Sequence, residues 1–301
     1  MNKAPTRSGA SAGAETNAQA AAPKSHFVQA NGLRLHHLDW GTEGRHPIVM
    51  LHGIRLHAHV WGDFCRRFRG DYHILTLDHR GHGDSQWAAP THYHLHDYYE
   101  DVQAVLAARG IGRCTLIGHS LGARVALLYT HLHPEQVERL LLVDMGAGLP
   151  AAIGRRDFSR ITETPPPQDF ASHAEATEYL RGILRIGPRE LIEESVVHGM
   201  RELPDGRFTW KYDPSLGGPP QPRAGAREWD LWEAARGVDC PTLLLHGEHS
   251  RVVTPDIVAR MQLEMADLQT ELIERAGHAL FTDQPETFAE SVGRFLRHTG
   301  G

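Results

Sequence analysis

The sequence predicts an α/β fold: a mostly parallel sheet flanked by helices, with a mainly helical cap inserted into it. Two observations predict this. The apolar runs PIVML, HILTL, CTLIG and LLLVD alternate with stretches of helical periodicity between residues 47 and 144, and near-continuous apolar strands separated by helices mark a parallel sheet covered on both faces. The alternation stops after Asp144 and resumes with PTLLLHG from Pro241. The last strands therefore rejoin a sheet already begun, so the interruption reads as an insertion rather than a second domain.

Taken in order, residues 1–25 are rich in Ala, Gly, Ser and Thr, contain no Leu, Ile, Val or aromatic residue, and read as a disordered tail without the apolar core of a signal peptide. HFVQANGLRLHHLDWG follows, two strand-like runs around Asn31-Gly32, a pair favoured in two-residue hairpins. Helices are expected near residues 60–68, 98–108 and 123–131, between the apolar runs. Residues 146–238 form the cap, with helices over 174–184 and 188–203 and a hairpin-like PDGRFTWKYDP. Residues 26–145 and 239–301 form the core, closed by an amphipathic helix over 285–298.

Lys plus Arg number 31 against 37 Asp plus Glu, giving a formal charge of −6. Without basic runs, nucleic acid is excluded as an expected partner. No apolar stretch approaches the roughly 20 residues of a membrane span. Cys65, Cys114 and Cys240 are odd in number and widely spaced, which fits buried thiols of a reducing compartment, the cytoplasm, better than a disulfide framework. His92, His94 and His96 alternate, but no cysteine or carboxylate cluster completes a metal set, so a solvated loop is expected and no metal or cofactor.

The chemistry concentrates at Thr115–Leu127, TLIGHSLGARVAL. Gly118-His119-Ser120-Leu121-Gly122 matches G-x-S-x-G where a strand gives way to a helix, the context that presents a serine hydroxyl at a sheet's carboxyl edge. The bland alternative is a small residue at a tight turn. A serine at neutral pH needs a base to take its proton, and histidine has the matching pKa.

With this elbow, Leu51-His52-Gly53 after a strand, the turn Asp78–Trp87 (DHRGHGDSQW) and Gly277-His278 near the end, the chain from His26 to His298 resembles the α/β-hydrolases. The resemblance implies a serine hydrolase with a cap, acting through an acyl-enzyme. It implies Ser120 as nucleophile, His278 as base and the Ile54 and Leu121 N–H groups as the oxyanion hole. One departure is plain: where most relatives carry the acid after the seventh strand, this sequence has Ser250. Asp144, 24 residues beyond Ser120 at the end of LLLVD, is the expected acid, as in branches that resemble this arrangement, with Ser250 as a hydrogen-bonding auxiliary to His278. Glu248 and Asp256 stand in reserve.

Arg55 could meet a substrate carboxylate or a rim ion pair, and Trp210 could roof an acyl pocket or pack on the core. The expected partner is a small-molecule acyl compound, most simply a carboxylic ester. C–C bond hydrolysis, a lactonase or perhydrolase activity, and a catalytically weak small-molecule receptor are the alternatives. Ser120 in place of a carboxylate argues against dehalogenase and epoxide-hydrolase chemistry.

Overall fold

The computed structural model describes residues 22–149, 167–184, 187–217 and 221–297. Asn31 and Gly32 take positive φ values of 52° and 74°, as a two-residue hairpin turn requires, and join β1 (Lys24–Ala30) to β2 (Leu33–Asp39) in antiparallel register. β1 thus begins two residues inside the segment read as a tail. Next come β3 (Pro47–Leu51), α1 (Gly62–Phe68), β4 (His73–Leu77), α2 (Leu95–Ala108), β5 (Cys114–His119), α3 (Leu121–Leu132) and β6 (Val137–Val143).

α2 starts earlier than its apolar pattern indicates, because Asp97 reaches back to accept the His94 N–H at 2.9 Å, a helix-capping contact. Of the three alternating histidines, His92 ends a short 3-10 turn, His94 caps the helix and His96 lies within it beside Glu100. The expected loop is therefore largely a helix start.

Between β6 and the return of the main sheet lie β7 (Asp169–Phe170), α4 (His173–Leu184), α5 (Arg189–Gly199), β8 (Met200–Glu202) and β9 (Phe208–Trp210). The helix expected over 188–203 ends at Gly199, packed so closely on His57 that a Cβ would sit 2.9 Å from its Nε2, and the chain turns into β8. Strands β7, β9 and β8 form a small antiparallel sheet over Phe170, Ala176, Val196 and Met200. α6 (Leu231–Arg236), although within the span assigned to the cap, packs against α3 of the main layer. β10 (Thr242–Gly247), α7 (Pro255–Glu264), β11 (Leu268–Ile273), α8 (Leu280–Asp283) and α9 (Pro285–Arg297) complete the described chain.

The eight-stranded sheet runs β1-β2-β4-β3-β5-β6-β10-β11. β1 and β2 form its antiparallel edge, and β4 through β11 are parallel. Successive side chains serve opposite faces. Val49, Leu51, Leu140 and Leu142 pack with α2 and α3, whereas Ile48, Met50, Leu141 and Val143 pack with Phe64, Phe281 and Phe288 from α1, α8 and α9. Burying each such side chain stabilises the fold by about 1.5–3 kcal/mol relative to exposure. β5, β6 and β10 are neighbours that end at His119, Val143 and Gly247, so the residues that follow share one carboxyl edge, where open α/β sheets bind ligands. No helix among the described residues is long and apolar enough to cross a membrane.

Candidate active site

Ser120 stands at the break between β5 and α3 with φ 52° and ψ −114°, a conformation that costs a non-glycine residue about 1–3 kcal/mol. Its glycine neighbours make the turn possible. A Cβ on Gly118 would lie 2.3 Å from the Gly122 carbonyl oxygen, and one on Gly122 would lie 2.2 Å from that of Leu51. Strand, helix and oxyanion-type loop are thereby pressed together. The Gly122 N–H donates to the His52 carbonyl at 3.1 Å, and among the described residues neither the Ile54 nor the Leu121 N–H has an acceptor.

Asp144 begins the chain's departure from β6, with φ 48° and no exposed surface. Its Oδ1 accepts the Gly247 N–H at 3.0 Å, and its Oδ2 accepts the Ser250 hydroxyl at 2.5 Å. The same Oδ2 lies 2.7 Å from His278 Nδ1, which assigns the ring proton to Nδ1 in the neutral tautomer and leaves Nε2 as an acceptor. Ser250 therefore bonds the carboxylate and not the imidazole it was expected to assist. Its oxygen also accepts the Val252 N–H at 3.1 Å. The reserve carboxylates lie elsewhere: Glu248 accepts the Arg275 N–H at 2.8 Å, and exposed Asp256 sits in the first turn of α7.

The Ser120 hydroxyl is buried and bonds no described residue, His278 included. Such contacts are often long before substrate arrives and tighten during reaction. Two supports were not legible as site residues. His119 lies behind the elbow, where its Nε2–H donates to the His278 carbonyl at 2.8 Å, and burial holds its pKa well below the usual histidine value. Asp283 accepts the Gly277 N–H at 2.7 Å, and burial, opposed by that bond, raises its pKa to about 6. The only sequence signals were their positions inside the G-x-S-x-G motif and shortly after His278.

The turn at Asp78 braces the oxyanion-type loop. Asp78 accepts the Ala58 N–H at 2.6 Å, the Asp84 N–H at 2.9 Å and a bond from His36 Nδ1 at 2.6 Å. Burial works against its ionisation, but the His36 bond leads the contacts that hold its pKa below the usual range. His52, kept neutral chiefly by burial, accepts the His79 N–H at 3.1 Å. Arg55 follows this loop with φ 62°, and its guanidinium lies 5.8 Å from the centre of the Tyr212 ring. Trp210 stacks on Tyr212 at 6.0 Å, packs against Phe170 and donates to the Pro167 carbonyl at 2.9 Å, one ring further from Arg55.

Strand order, elbow and the Asp144–His278 pair together define a known architecture, and the sequence model described as the alpha/beta hydrolase family matches residues 48–291. The chain belongs to the alpha/beta hydrolase family. This alpha/beta hydrolase is 28% identical over 277 residues to N-formylmaleamate deformylase of Pseudomonas putida, covering 90% of this chain and 96% of that protein. It is 26% identical over 295 residues to an esterase of Mycobacterium tuberculosis, covering 90% and 88%. Among solved structures, E-2-(acetamidomethylene)succinate hydrolase superposes with a TM-score of 0.81 at 23% identity, covering 92% of this chain and all of that one. The chain is thus a hydrolase whose relatives include esterases.

Proposed function

We infer that the protein is a serine hydrolase that cleaves a carboxylic ester or related acyl compound through an acyl-enzyme. The observation that carries this reading is the single buried carboxylate oxygen of Asp144, shared by His278 Nδ1 and the Ser250 hydroxyl, beside a serine strained into the elbow conformation. Ser120 Oγ attacks the acyl carbon while His278 Nε2 takes its proton. The oxyanion collects the Ile54 and Leu121 N–H groups. As the carbonyl re-forms, the bond to the leaving group breaks and His278 returns the proton to the departing oxygen or nitrogen. Water then repeats the sequence and frees the acid. Asp144 fixes the imidazole tautomer and stabilises the imidazolium, and Ser250 holds Asp144 in place. This acyl transfer draws on no cofactor.

A C–N substrate has one specific support, the likeness to a deformylase, because the same nucleophile attacks an N-formyl amide. The inserted segment supplies the cap of the site, and the three unpaired cysteines fit a cytoplasmic setting. The test is covalent labelling with a fluorophosphonate, alongside turnover of 4-nitrophenyl esters from acetate to palmitate and of N-formyl amides. Labelling and turnover are both expected in the wild type and both lost in Ser120→Ala, with kcat falling about a million-fold. A wild-type protein that neither reacts with the probe nor turns over any acyl substrate would instead be a receptor on the same fold.

A further inference from the structure

Arg55 carries a charge that no counter-charge among the described residues answers. It sits two residues after Gly53, where a Cβ would lie 3.0 Å from that of Ser120, so the loop that bears it abuts the nucleophile. Among the described residues no carboxylate pairs with it, in contrast to Arg66 on Glu194 at 2.6 Å and Arg80 on Asp101 at 2.6 Å. Two phenols lie in its neighbourhood. Tyr212 lies below the guanidinium, and Tyr179 of α4 packs on Phe170, whose other neighbour Trp210 stacks on Tyr212, so both phenols share the surroundings of the Arg55 charge.

Neither phenol hydroxyl donates to a described residue. Burial raises the pKa of both, that of Tyr212 to about 12, so both remain protonated donors at neutral pH. Arg55, Tyr179 and Tyr212 are all half-buried, and Tyr212 packs against the same apolar cluster as Ile54 and Leu121. A half-desolvated cation among unpaired donors is an incomplete site, because a partly buried charge is costly until a counter-charge with matching acceptors joins it. A guanidinium fork and phenol hydroxyls are all donors, the complement of a carboxylate's acceptor oxygens.

We propose that Arg55, with the hydroxyls of Tyr179 and Tyr212, receives a carboxylate carried on the acyl part of the substrate. The preferred substrates are then half-esters or half-amides of dicarboxylic acids rather than neutral acyl compounds. This rests on the serine-hydrolase reading above and names its substrate class.

The test compares monomethyl esters of the straight-chain dicarboxylic acids from succinate to pimelate with methyl esters of monocarboxylic acids of equal chain length. Turnover is followed by proton release in wild type, Arg55→Met, Arg55→Lys and Tyr212→Phe, with thermal unfolding as the check on folding. At its best chain length the wild type should favour the carboxylate ester by roughly 10- to 100-fold in kcat/KM, the worth of hydrogen bonds to a charged group. Arg55→Met should abolish that preference, Arg55→Lys should keep part of it, and Tyr212→Phe should reduce it, mainly through KM.

A merely structural role for Arg55 would lower both substrate classes together and leave their ratio unchanged, which would overturn the proposal. So would a wild-type ratio within about twofold of unity at every length, set against the tenfold minimum expected. Failure of the hydrolase reading is separately visible as absent probe labelling and absent turnover of every ester. Thermal stabilisation by the free dicarboxylates then decides the anion site. Stabilisation of wild type that is lost in Arg55→Met supports it, and none in wild type refutes it.

Discussion

Asp144, at the carboxyl edge of the main sheet, and Arg55, beside the inserted segment, stand in opposite polar surroundings. Around Asp144 the polar groups are committed: one carboxylate takes a backbone N–H, a hydroxyl and an imidazole, all set by parallel strands buried on both faces. Around Arg55, a guanidinium and two phenols are left without acceptors among the described residues. The inserted segment holds a small apolar cluster and exposed, solvent-screened pairs such as Arg189–Glu193 and Arg207–Asp169. The difference teaches a division of labour. On the proposed reading, bond-making falls where the backbone dictates geometry, and selection falls where donors await a ligand beside the inserted segment.

The sharpest way to break this comparison is Asp144→Asn. Replacing the carboxylate should lower kcat about ten-thousandfold for every ester, charged or neutral, because tautomer control fails for all of them. A loss below about tenfold in steady-state assays, so far short of that expectation, would make the Asp144 cluster structural. Ser250→Ala is the milder probe. Loss of one hydrogen bond to the carboxylate should cost about 10-fold in kcat without altering chain-length preference, whereas a changed preference would move Ser250 to the selecting layer.

The smallest effect is in stability against pH, where a buried carboxyl and the buried imidazoles should act with opposite signs. Asp283 beneath the His278 loop has its pKa raised from 3.8 to about 6, so between those values the folded state binds more protons than the unfolded one. Its contribution therefore falls as pH rises through this window. In differential scanning calorimetry, Asp283→Asn should gain melting temperature relative to wild type from pH 4 to 6.5 and hold that gain above it. Parallel curves would remove Asp283 from the account.

The sign reverses for buried histidines, His52 and His119 at the carboxyl edge and two more at the junction with the inserted segment. His57, which contacts the Ser195 carbonyl at 3.0 Å, and His59, stacked on His198 at 3.6 Å, have pKa values lowered by burial to about 4 and about 3. Stability that is present above pH 6.5 is lost there as pH falls toward those values. Amide exchange in α5, corrected for its intrinsic pH dependence, should therefore rise on acidification before that of β5 and β6.

Much of this was legible in the amino-acid sequence because it is local. The Asn31-Gly32 turn, the strand runs and the elbow glycines are dictated by neighbours in the chain, through backbone conformation and the period of apolar residues. The carboxylate that pairs with His278 could be picked out too, since Asp144 closes the strand beside β5 and Ser250 stands in place of a carboxylate after β10. Other features depended on meetings across the fold. His119 bonding the His278 carbonyl, Ser250 turning to Asp144, α5 stopping at Gly199 against His57, and Arg55 arriving beside Tyr179 and Tyr212 all join segments far apart in the chain. No periodicity records such encounters. The sequence by itself determined the sheet, the elbow and the chemistry available to it. The tertiary structure decided which polar atoms are satisfied and which remain open, because satisfaction depends on what packing brings within hydrogen-bond reach.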